Sequence, residues 1–128
     1  MVCISFSRYL HLQMKVKYCQ FSNIPEPVEY RIGKNAKDNF VVIDSGAPQD
    51  IWFHARHVSS CHVLAILPQT LDKKQLDTIV KKGADLCKEN TASVKNIYAE
   101  FMYTELKHVT KTTTAGMVFC THEKTIWR

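Results

Sequence analysis

Four side chains able to bind a metal ion or carry a proton, His54, His57, Cys61 and His62, fall within nine positions of a 128-residue chain. Zinc sites draw their ligands from characteristic spacings. Here the flanking pattern has period two, so His54 and His57 point to opposite faces of a strand and make a poor bidentate pair. Nucleophilic chemistry fares no better. Ser59, Ser60 and Cys61 lie close to His62 and Asp50, but adjacency in sequence is not the geometry of a triad. No G-x-S-x-G elbow is present. A single cysteine beside a histidine reads as core rather than as a nucleophile. Gly33-Lys34-Asn35 has one glycine and none of the framework of a phosphate-cradling loop. A binding surface is the remaining chemistry. Trp52, His54 and Arg56 on one strand face offer an aromatic plane, a switchable donor and a planar cation, a set suited to stacking on bases and pairing with phosphates. Arg31 and Lys34 precede them, and Lys107, His108 and Lys111 follow in a later polar stretch. Spacing alone weighs this reading equally with a second, in which Trp52 is core and His54 buttresses a turn.

The elements that must position these residues show in the hydrophobic pattern. Met14, Val16 and Tyr18 alternate with lysines, as do Val28, Tyr30 and Ile32 with Glu29 and Arg31, predicting two half-buried strands around a turn at Pro25 and Pro27. Residues 33–39 read as a loop or short helical turn, and Phe40 to Ile43 as a short apolar element. Ile51, Phe53 and Ala55 face one side of a strand and Trp52, His54 and Arg56 the other. His62 to Leu67 reads as a central strand. Leu76, Ile79, Val80, Gly83, Leu86 and Cys87 form one apolar stripe of a helix over about 72–89. Asp72 with Gln75 is set to cap its start and Asn90 its end. Residues 97–103 alternate as a strand, and Met117 to Cys120 reads as another, with Thr125-Ile126-Trp127 as its hairpin partner. The layout predicts a single α+β domain, residues 1–128, with a largely antiparallel sheet and one main helix packed on it.

Composition sets bounds. With 45% hydrophobic residues, four glycines and four prolines, disorder and low complexity are excluded. The longest unbroken apolar run, Val63 to Leu67, is far short of the ~20 residues of a membrane span. The net charge of +5 favours an acidic partner such as nucleic acid without deciding it. The five scattered cysteines include no Cys-x-x-Cys pair and read as free thiols of a reducing compartment, cytoplasm or nucleus. Residues 1–13 lack the basic and apolar regions of a secretory signal. Met14 opens a fresh segment, so those residues read as an upstream extension. No metal or cofactor is expected.

Four segments taken in order resemble the NFACT RNA-binding domain. Gly33-Lys34-Asn35-Ala36-Lys37-Asp38-Asn39 is similar to that family's G-[RK]-N-x-x-x-N, and Asp50-Ile51-Trp52-Phe53-His54 to its D-[LI]-W-[FL]-H. Ser60-Cys61-His62-Val63 stands where the family has G-S-H-V. Gly116-Met117-Val118 and a closing Thr-Ile-Trp look like its ending. The match runs from about Tyr30 to Trp127. Two departures stand out: Ser60 and Cys61 replace Gly-Ser, and Lys34 gives up the fork of an arginine while keeping its charge. The resemblance implies a non-catalytic RNA-binding domain, its RNA being tRNA or ribosomal RNA, of the kind found at the C-terminus of factors that act on stalled large ribosomal subunits. DNA is left open as a competitor. Arg31, Lys34, Asn35, Asn39, Trp52, His54, Arg56, His62, Lys107 and Lys111 are the candidate RNA contacts. Within that set Asn35 and Asn39 fix their loop by side-chain-to-backbone bonds, and Asp50 holds the following strand or accepts from an arginine. An adaptor that docks on a ribosomal protein, and an accessory enzyme acting on RNA through Cys61 and His62, are the competing readings.

Overall fold

A computed structural model describes residues 14–128; the reading of residues 1–13 as an extension falls outside them. The strands β1 (Lys15–Cys19), β2 (Val28–Gly33), β3 (Ile51–Ala55), β4 (His62–Ile66), β5 (Glu100–Glu105) and β8 (Lys124–Trp127) form a six-stranded sheet. Its order is β1-β2-β4-β3-β5-β8, antiparallel at every step. Two helices flank it, α1 (Ala36–Ser45) and α2 (Lys73–Glu89), and β6 (Val109–Lys111) and β7 (Val118–Cys120) make a separate two-stranded hairpin. The α+β architecture is the expected one, with β4 at the centre.

The alternation in β3 sorts two cores onto the two sheet faces. Ile51, Phe53 and Ala55 join Tyr30, Ile32, Val63, Phe101 and the apolar stripe of α2 on one face. Trp52 joins Leu64 and the α1 residues Val42 and Ile43 on the other. The capping box at α2 forms as its sequence predicts: Asp72 accepts from the Gln75 N–H, and the Gln75 side chain accepts from the Asp72 N–H. Asn90 closes the helix, its side-chain amide donating to the Leu86 carbonyl. Gly83 lets α2 sit down on the sheet, because a Cβ there would lie 2.2 Å from Phe53 Cζ. Gly83→Ala is therefore expected to destabilise by about 1–3 kcal/mol through overpacking, overriding the ~1 kcal/mol gained in helix propensity. Urea denaturation reads the loss, and Phe53→Leu in the same chain should recover part of it; an alanine variant as stable as the parent would refute the close-packing account.

Three local expectations are corrected. Residues 36–45 are one helix rather than a loop or short helical turn followed by a separate short apolar element. Asn35 supplies its N-cap, its side-chain oxygen accepting from the Asp38 N–H at 2.9 Å. Next, β8 pairs with β5 and not with β7. The partner of β7 is β6, which lies within the stretch read as polar coil. Between β7 and β8, His122 adopts a left-handed φ of 59°, and the chain leaves the small hairpin for the edge of the main sheet. Finally, β5 begins at Glu100, so Ile97 and Tyr98 lie outside it and are exposed.

Candidate nucleic-acid interface

At one end of the sheet a cleft of about 1040 Å³ opens between the first turn of α1, the β3–β4 turn, the residues after α2 and the tip of the β6–β7 hairpin. Its floor is a chain of hydrogen bonds linking three sequence segments. Gly33 ends β2 so close to α1 that a Cβ would lie 2.6 Å from Asn39 Oδ1 and 2.8 Å from the Asn39 nitrogen. With no side chain in the way, Asn39 reaches the sheet and its Oδ1 accepts from the His62 N–H at 3.1 Å. The Trp52 indole N–H donates to His62 Nδ1 at 3.2 Å. His54 lies stacked on Trp52, ring centroids 5.6 Å apart, and meets His62 edge-on at 5.1 Å. Behind this floor, Asp50 is buried with both carboxylate oxygens engaged, accepting from the Ala47 N–H at 2.7 Å and the Leu67 N–H at 2.9 Å. It ties the start of β3 to the end of β4, and its contacts are with backbone rather than with an arginine.

The electrostatics of the floor follow from burial. Desolvation, with His54 close by, depresses the His62 pKa to about 3. His54 is also lowered by burial, in part offset by its hydrogen bond to the Ala55 carbonyl. Both imidazoles are therefore neutral at pH 7. Among the described residues, the cation lining the cleft is Lys34, beside the N-terminus of α1, whose dipole also favours negative charge. Asp38 in that first turn offsets part of the dipole. In the wall, Cys61 and Cys87 bring their sulfurs within 3.8 Å, with the Ser60 and Thr91 hydroxyls against them.

The candidate residues divide into two groups. Lys34, Asn35, Asn39, Trp52, His54 and His62 line the cleft together. Asn35 makes the local side-chain-to-backbone bond expected of it, whereas Asn39 lies within α1 and ties that helix to β4 rather than fixing a loop. Trp52 and His62 are fully buried, so Trp52 is the core residue of the two readings left open and has no free ring face for a base. Arg31, Arg56, Lys107 and Lys111 do not line the cleft. Arg31 is held by Glu29 at 2.6 Å and by the Ser45 carbonyl at the end of α1. Lys107 faces Glu105 at 3.7 Å, Lys111 pairs with Asp44 at 2.7 Å, and Arg56 lies 3.8 Å from Glu100. The sequence reading missed the wall formed by Asn90 to Ser93; its only signal was Asn90 as a helix stop. Gly116, Met117 and Val118, a motif singled out from the sequence, close the opposite side. Among the described residues no group of three or more His, Cys, Asp or Glu gathers to hold a metal, and no helix is long and apolar enough to cross a membrane.

Fold and site together define a small α+β domain with a cleft that has a neutral histidine–tryptophan floor and one lysine at its mouth. The family model described as the NFACT protein RNA binding domain matches residues 17–123. The chain belongs to the NFACT RNA-binding domain family, and its role is RNA binding at that level of description. Among solved structures, it is similar to the C-terminal part of the fibronectin/fibrinogen-binding protein from Streptococcus suis, with a TM-score of 0.68 and 20% identity, a likeness of fold alone. That match covers 78% of this chain and 40% of the other. No curated protein matches the chain.

Proposed function

We propose that the chain binds structured RNA, tRNA or ribosomal RNA, in cytoplasmic translation or ribosome-associated quality control, without catalysing a reaction on it. One observation supports this most: residues of four family-like segments, 33–39, 50–54, 60–63 and 116–118, line one cleft with Lys34 at its mouth. In this reading Lys34 and the first turn of α1 take a backbone phosphate. The floor residues Asn39, Trp52, His54 and His62 hold the cleft's shape rather than touch the ligand. Arg56 and Lys111, each only partly covered by its acidic partner, contribute from outside it.

Gel shift with tRNA at two salt concentrations tests the reading. Lys34→Glu is expected to weaken binding by about tenfold and to lower the slope of log affinity against log salt by about one. Binding unchanged by that reversal would remove the cleft from the interface. The adaptor reading draws on Met117 and Phe119, exposed on the hairpin beside the cleft. It predicts a partner whose affinity barely responds to salt.

A further inference from the structure

Beyond the cleft, the same sheet face carries an aromatic pair with no core to serve. Tyr98 and Trp127 are 73% and 50% exposed, and their rings stack with centroids 5.3 Å apart and planes 26° from parallel. Register fixes their place. His54 and Met102, which line the cleft, sit opposite one another on β3 and β5, and Met102 faces Thr125 on β8. Two residues further along β5 and β8, Glu100 pairs with Trp127, and the Glu100 carbonyl accepts from the N–H of Arg56, the first residue past the end of β3. Side chains two apart on a strand share a face, so Glu100 and Trp127 continue the surface floored by His54 and Met102, and Arg56 reaches it through its ion pair with Glu100.

We infer that Tyr98 and Trp127 form a stacking platform for an unpaired RNA base, with Arg56 as the adjoining phosphate partner; this rests on the RNA-binding reading above. The continuity of the surface with the cleft and the placement of Arg56 favour a nucleotide. Arg56 meets Glu100 at only 3.8 Å, a loose pair at the surface that a phosphate can displace. The apolar island is small, Ile97 being its other exposed member. That suits one or two bases better than the roughly 800 Å² per partner of a stable protein interface. A flat pair of rings accepts any base, so the platform selects single-stranded over duplex RNA without reading sequence.

Fluorescence titration of the whole chain with a 15-nucleotide oligoadenylate, and with a blunt RNA duplex of equal length, tests the platform. The chain has two tryptophans, and since Trp52 is buried, quenching by the oligomer reports Trp127. The expected result is quenching by the single strand and an affinity for it reduced roughly tenfold in Trp127→Ala, with Trp127→Phe retaining most of it. Tyr98→Ala, at a position outside any strand, repeats the test without disturbing the sheet. Unchanged single-strand affinity in Trp127→Ala and Tyr98→Ala, with Lys34→Glu still weakening binding, overturns the platform and leaves the RNA reading standing. A parent chain that binds neither RNA overturns both.

Discussion

Acidification from pH 7 to pH 4.5 is expected to remove about 3 kcal/mol of stability through His62 alone. Its folded-state pKa of about 3 lies below the ordinary 6.5, so between those values the unfolded chain holds more protons than the folded one. The contribution is complete above pH 6.5 and drains as the pH falls toward 3. The structural cause is explicit. Trp52 donates to Nδ1, so that nitrogen must keep its lone pair, while the backbone N–H of His62 is committed to Asn39. A proton on Nδ1 would set two donors against each other in a buried site where desolvation already disfavours the charge. His54, lowered in the same direction, adds to the slope. Urea midpoints across this pH range measure the effect. His62→Gln keeps an acceptor for the indole and removes the titration, so most of the fall should vanish in that variant; an equally steep fall would refute the assignment.

Trp52→Ala is the most damaging single truncation expected, at about 3–5 kcal/mol. The indole is wholly buried between Leu64, His54, His62 and α1, and its loss leaves a cavity together with an unsatisfied His62 Nδ1. Against a total stability of roughly 5–15 kcal/mol, such a variant stands near unfolding at 37 °C. Trp52→Phe keeps most of the volume and loses the hydrogen bond, at about 1–2 kcal/mol. The pair also tests the assignment of this residue to the core. A tryptophan that holds the floor gives a phenylalanine variant that is less stable yet binds RNA as the parent does. A folded Trp52→Phe with lost affinity would mean that the ring meets the ligand.

Much of this site was legible before any coordinates, though not its division of labour. Strict alternation over 51–55 named the two faces of β3 correctly, because successive side chains of a strand point to opposite faces, while Arg56, read as part of one face, lies one residue past the strand's end. The α2 stripe was equally plain. The helix α1 was missed because its apolar residues, Phe40 to Ile43, run consecutively and are largely β-branched, which imitates a short strand. Only Asn35, three residues before Asp38, marked its start. The mispaired hairpin has another cause. Three residues, Thr121 to Glu123, separate β7 from β8, a length that fits a hairpin, and nothing local reveals that each strand has a partner elsewhere. Charge misled most. Arg31, Lys107 and Lys111 are cations in the sequence, but their acidic partners, Glu29, Glu105 and Asp44, are set only by the fold.

The hairpin of β6 and β7 shares no backbone ladder with the six-stranded sheet; side chains, Val109, Val118 and Cys120 among them, hold it against the Trp52 core. Apolar packing is non-directional, whereas a strand ladder fixes its register. One jaw of the cleft is thus seated by side-chain contacts, apolar packing and the Lys111–Asp44 ion pair onto α1, while the other, α1, is bonded into the floor through Asn39. The width of the opening can change by displacement of one small unit, at a free energy below that of global unfolding and without loss of a sheet hydrogen bond. In the RNA-binding reading proposed above, such a cleft would admit nucleotides of differing bulk over a fixed floor.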